Sequence, residues 1–224
     1  MKSAKERIGD IIRILGKEYP EAHTSLSFAT PLQILVATIL AAQATDQRVN
    51  VITPGLFKKY PTAADFAGAD RAELEQEIRS TGFFRNKAKN IMGAAKKIVD
   101  DFGGEVPNTM KELITLPGVA RKTANIVLSS GYNKAEGIAV DTHVRRLAGR
   151  LGLSKKHDPN KIERDLLEIV PRRHWLDFNY MLVNHGRKVC QARKPKCPEC
   201  VIQQLCPSAK CFLKTMKAKE SFVK

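Results

Sequence analysis

Apolar residues recur at helical intervals along almost the whole chain, while the strict alternation of a half-buried strand is scarce. Ile8, Ile11, Ile12 and Leu15 make one stripe near the start. Residues 32–44 are apolar nearly all round, which predicts a central buried helix opening at Pro31, a favoured first-turn residue. Pro54-Gly55 predicts a break or kink in the stretch that follows. Residues 71–79 read as a charged surface helix, and 86–102 carry Ile91, Ala95, Ile98 and Phe102 at helical spacing. Further helices are predicted over 110–115, 121–130, 142–151, 160–170 and 175–184. With no internal repeat, the pattern predicts an all-α fold with short connections and a cysteine cluster closing its C-terminus.

A chain of 224 residues can bury one substantial core or two modest ones. The longest apolar run, from Ile34 to Ala42, is far too short to span a bilayer, and the N-terminus lacks the apolar core of a secretory signal. The expectation is an intracellular protein without a membrane partner, placed in the cytoplasm or nucleoid if prokaryotic. Its formal charge of +15 favours a polyanionic partner, because each neutralised phosphate releases condensed counterions. More than half of that excess falls between Arg187 and Lys224, where ten Lys or Arg face two Glu.

All five cysteines lie beyond residue 189, and clustered thiols in a reducing compartment suggest metal over disulfides. Cys190, Cys197, Cys200 and Cys206 are separated by six, two and five residues. Four such thiolates can wrap one cubane iron–sulfur cluster, one per iron. A structural zinc also accepts four cysteines, though commonly from two Cys-x-x-Cys knuckles, of which this chain has one. Cys211 is left over as a reduced thiol.

The most informative stretch is Leu116-Pro117-Gly118-Val119-Ala120-Arg121-Lys122-Thr123-Ala124. A helix ends before Pro117, Gly118 permits a tight turn, and a new helix starts near Arg121. Amides at that start, with the positive end of the helix dipole, suit a phosphate. Alone, the pattern fits an ordinary helix–helix turn as well.

Together with Val140-Asp141-Thr142-His143, Ala42-Gln43-Ala44-Thr45-Asp46, Gly104-Glu105-Val106-Pro107 and the terminal cysteines, this stretch resembles the helix-hairpin-helix DNA glycosylase superfamily, in particular its endonuclease III branch. The motifs occur in order across most of the chain. One departure is Ala120, where the family pattern has a second glycine. If that position needs positive φ, alanine costs roughly 1–2 kcal/mol; if it is entering the helix, alanine is harmless.

The resemblance implies two helical domains flanking a DNA cleft. One is a six-helix domain with the hairpin, about 26–135. The other is a discontinuous iron–sulfur domain, 1–25 with 136–224. It implies a monomeric base excision repair enzyme on double-stranded DNA carrying an oxidised pyrimidine or an abasic site. One [4Fe-4S] cluster is expected on Cys190, Cys197, Cys200 and Cys206.

By the same resemblance Lys122 is the nucleophile, forming a Schiff base whose β-elimination cuts the strand. Lysine at that position argues against a monofunctional mismatch glycosylase, whose relatives generally lack it. A free lysine titrates at about 10.4, and burial or a helix N-terminus favours the neutral amine. Asp141 is the catalytic carboxylate, equally suited to cap the helix after it. Extruding a nucleotide needs groups that fill the gap. The resemblance gives that role to Gln43 and to Phe83, a residue whose apolar ring fits a core as well. Gly118, Val119 and Ala120 of the hairpin, and Arg193, Lys194 and Lys196 between the first two cysteines, are the remaining candidate DNA contacts.

Overall fold

The computed structural model describes residues 2–221, and the regular structure there is helical throughout. In chain order the α-helices are α1 (Ala4–Glu18), α2 (Pro31–Leu40), α3 (Asp46–Lys59), α4 (Ala63–Ala67), α5 (Arg71–Glu77) and α6 (Phe84–Phe102). They continue as α7 (Met110–Leu113), α8 (Arg121–Ile126), α9 (Thr142–Arg150), α10 (Pro159–Ile169), α11 (Phe178–Lys188) and α12 (Ala209–Ser221). No helix among the described residues is long and apolar enough to cross a membrane.

Contacts divide the chain into two compact units, Thr24–Glu136 and the joined segments Met1–His23 and Gly137–Lys224. In Thr24–Glu136, α2 is buried from Ile34 to Leu40, and Ile34, Leu35 and Leu40 meet Leu56, Phe66, Leu74, Ile91 and Ile98 of the surrounding helices. In the other unit the stripe Ile8, Ile11, Ile12 and Leu15 of α1 packs with Val144, Leu147, Ile162, Leu166, Phe178 and Leu182. Each such fully buried aliphatic side chain is worth roughly 1.5–3 kcal/mol against exposure. Ser3 and Glu6 close a capping box at the start of α1.

Several boundaries differ from the sequence pattern, each for a packing reason. The apolar run 32–44 stays helical only to Leu40, because Gln43 turns left-handed with φ 56°. Pro54 does not break α3: Val49, Thr53 and Leu56 bury one face across it, and that anchorage outweighs the roughly 3 kcal/mol of an internal proline. The segment 175–184 is helical from Phe178 instead, since the Trp175 indole N–H donates to the Val170 carbonyl at 2.8 Å and holds a tighter turn before it. Finally, the four clustered cysteines do not close the chain, for α12, which contains Cys211, follows them. Its sequence is mostly polar, so its apolar period is weak.

Candidate active site and metal centre

The hairpin is built onto α6. Pro117 packs on Gly93, where a Cβ would lie 3.3 Å from its ring, and Gly118 lies over Asn90 one turn away. Gly118 has φ 77°, and a Cβ there would come within 2.8 Å of the Asn90 Cβ, so both backbone and space require glycine. Leu116 and Val119 are buried and pin the turn from below. The Val119 N–H donates to the Leu116 carbonyl at 3.1 Å, so the turn consumes it.

Ala120 is the N-cap of α8 with φ −90° and ψ 170°, an extended conformation that any residue adopts. The second glycine of the family pattern is therefore not needed for conformation. Alanine supplies no side-chain cap, so it offers the first amides of α8 no internal acceptor. Lys122 is the second residue of α8, at the positive end of its dipole. Its side chain is exposed, which leaves the amine open to a ligand.

Two tips of the same unit carry the candidate duplex-entering residues. Gln43 is exposed with φ 56°, and Phe83 is 66% exposed with φ 48°, so Phe83 is not a core residue. Among the described residues only Gln43, Phe83 and Asn133 are non-glycines at positive φ. Asparagine tolerates that conformation, whereas the other two pay on the order of 1 kcal/mol each. The sequence folds into strain at the two positions singled out for opening a duplex.

In the other unit Asp141 is the N-cap of α9, its Oδ1 accepting the Val144 N–H at 2.8 Å. The bond fixes the side chain's orientation and leaves it half-buried. His143 pairs with Arg146 through Nδ1 at 3.1 Å, a structural contact.

Cys190, Cys197, Cys200 and Cys206 line one cavity walled by apolar residues including Leu147, Leu151 and Ile202. None is in a disulfide. Burial pushes Cys197, Cys200 and Cys206 up, Cys200 to about 11, and the other thiolates push in the same direction. Four negative sulfurs here thus call for a cationic centre. Among the described residues no group of three or more Cys, His, Asp or Glu is arranged to hold a single metal ion. The Ile202 N–H points at the Cys200 sulfur, and those of Ser208 and Ala209 at the Cys206 sulfur. This donor set fits an iron–sulfur cluster.

Sequence reasoning missed the groups that hold these pieces. Arg150 donates to the Gln191 and Ala192 carbonyls, both at 2.7 Å, and to the Cys190 sulfur at 3.3 Å, with Phe212 of α12 under its guanidinium. It frames the loop that exposes Arg193, Lys194 and Lys196, the last of which also pairs with Glu199 at 3.6 Å. His185 is buried, its Nε2 3.4 Å from the Cys200 sulfur and its Nδ1 3.0 Å from the Tyr19 hydroxyl. Burial lowers His185 to about 4, which keeps the ring neutral. The one signal in sequence was a histidine five residues before the first cysteine.

Comparison with known proteins adds to this geometry. Residues 36–172 match the HhH-GPD superfamily base excision DNA repair protein family, and residues 190–206 match the iron–sulfur binding domain of endonuclease III. The chain is 57% identical to endonuclease III of Synechocystis sp. over 93% of its own length and 95% of the relative's. It is 42% identical to endonuclease III of Bacillus subtilis over 86% and 88%. A solved structure of a trapped endonuclease III–DNA covalent intermediate, an estranged-adenine complex, superposes with TM-score 0.89 at 39% identity, covering 95% of this chain and all of that one. The cofactor of the chain is a [4Fe-4S] cluster.

Proposed function

The chain belongs to the HhH-GPD superfamily of base excision DNA repair proteins, and on that premise we propose that it is a bifunctional DNA N-glycosylase and abasic-site lyase acting on oxidised pyrimidines in duplex DNA. One observation carries the reading: Lys122 stands exposed on the first turn of α8, directly after a turn that only glycine can make. The likeness to endonuclease III caught in a covalent intermediate with DNA supports an amine in that role.

The chemistry follows from the residue types. The neutral Lys122 amine attacks sugar C1′ as the bond from C1′ to the base nitrogen breaks, and the base leaves with that electron pair and takes a proton. The sugar ring then opens to a Schiff base on Nζ. The Schiff base acidifies the 2′ hydrogen; its loss expels the 3′ phosphate, and water releases the lysine. Asp141, oriented by its bond to Val144, stabilises the positive charge on the sugar and relays protons.

Gln43 and Phe83 fill the space that the extruded nucleotide leaves, Gln43 hydrogen-bonding the orphaned partner base. The amides of Gly118 and Ala120 receive a backbone phosphate, with Val119 holding the turn from beneath. Cys190, Cys197, Cys200 and Cys206 hold the cluster, whose bound irons supply the positive charge that keeps these thiolates together. Arg193, Lys194 and Lys196, framed between two of those cysteines, meet phosphates. In this reading the protein works as a monomer in the cytoplasm, where a bacterial chromosome lies.

The test is a set of duplexes with a single thymine glycol, a single abasic site, a mismatch or no lesion. We expect cutting at the first two, leaving an unsaturated aldehyde on the 3′ end. Base release without strand cutting, or cutting only at the mismatch, overturns the reading.

A further inference from the structure

We infer that Lys87 is a positioning residue for base extrusion, its buried ammonium clamping together the two tips that carry Gln43 and Phe83. The inference rests on the reading of those tips as the groups that enter the duplex. Lys87 is 4% exposed. Its Nζ donates to the Leu40 carbonyl at 2.7 Å and to the Thr81 carbonyl at 2.8 Å.

Those two acceptors are not ordinary places in the fold. Leu40 is the last residue of α2, shortly before Gln43, and Thr81 ends the turn that leads through Gly82 to Phe83. Were α2 to continue, the Ala44 N–H would reach the Leu40 carbonyl. It donates to the Ala41 carbonyl at 3.2 Å instead, so the turn that swings Gln43 left-handed opens an acceptor for the ammonium. The Lys87 N–H meanwhile donates to the Phe83 carbonyl at 3.1 Å. One residue therefore grips Phe83 through its main chain and ties both tips through its side chain.

Lysine suits this task for three reasons. Its stem is long enough to cross from α6 to the end of α2. Its charge favours the carbonyl end of that helix, where the dipole is negative. Its burial carries a desolvation cost, which pushes Lys87 down from its ordinary range, so an apolar residue would be the cheaper filling if space alone mattered. What the ammonium adds is a fixed spacing between two strained tips. Both then enter a duplex together, without first being ordered.

The experiment compares strand cutting at one abasic site in a paired duplex and in a single strand, where no stack has to be opened. Lys87→Met is expected to slow the duplex reaction about tenfold and the single-strand reaction less than twofold. Hydrogen exchange in the same variant is expected to speed up at both tips together, residues 41–44 and 79–83, but not in α8. Should Lys87→Met fail to fold, Lys87→Gln, which keeps a shorter donor, is expected to give the same pattern at smaller size. Equal slowing on both substrates, or exchange rising everywhere, marks a merely structural lysine and overturns the inference. Gln43→Ala and Phe83→Ala run alongside. If they shift the ratio of the two rates and neither Lys87 variant does, the clamp alone is wrong; if they leave it at the wild-type value, the tips themselves are misread and the clamp falls with them.

Discussion

Asp141 carries two demands on one carboxylate. Its Oδ1 holds the start of α9 through the Val144 N–H, and the proposed chemistry needs negative charge beside the sugar. The two can be separated, because asparagine caps a helix about as well as aspartate but carries no charge. Asp141→Asn should therefore leave the melting temperature within about 2 °C of the wild type while slowing single-turnover base release about a hundredfold or more. A large fall in melting temperature with normal excision would reduce Asp141 to a cap. Candidate residues of this kind were readable because they stand in contiguous motifs. The conformation at Gln43 and Phe83 was not, since a left-handed backbone at a non-glycine is imposed by the packing around it and leaves no mark on the local pattern.

At the level of elements, what could be read is what one helix does by itself. The stripe of α1 and the apolar run opening α2 follow from spacing alone. The early end of α2 and the passage of α3 through Pro54 do not. They depend on partners distant in the chain or on a face buried by neighbours, such as Lys87 against Leu40 and Thr53 within its core. The cysteine segment is the extreme case. The four thiols were legible as a set, but Arg150, whose bonds frame the loop after Cys190, lies forty residues earlier. Because the unit's core runs through Ile11, Leu147, Leu166 and Phe178, it should outlast a damaged cluster. Cys206→Ser is thus expected to lose most of its bound iron while keeping its helical circular dichroism, with iron content and far-ultraviolet spectra as the readouts. Full iron retention would remove Cys206 from the ligand set.

For the molecule as a whole, a charge of +15 with its excess gathered after Arg187 implies an affinity dominated by phosphate contacts. Each such contact contributes about 0.9 to the slope of log affinity against log salt. Replacing Arg193, Lys194 and Lys196 together by alanine should flatten that slope by about 3 on lesion-free duplex, measured by fluorescence anisotropy across a salt series. An unchanged slope would leave these exposed residues as a solubilising surface. None of this matters unless one amine forms a covalent bond with DNA. Borohydride reduction during turnover tests that most directly: the wild-type protein should be trapped on a lesion-bearing duplex as a stable adduct, and Lys122→Gln should give none while still binding the same duplex. An adduct of normal yield in Lys122→Gln would contradict the account.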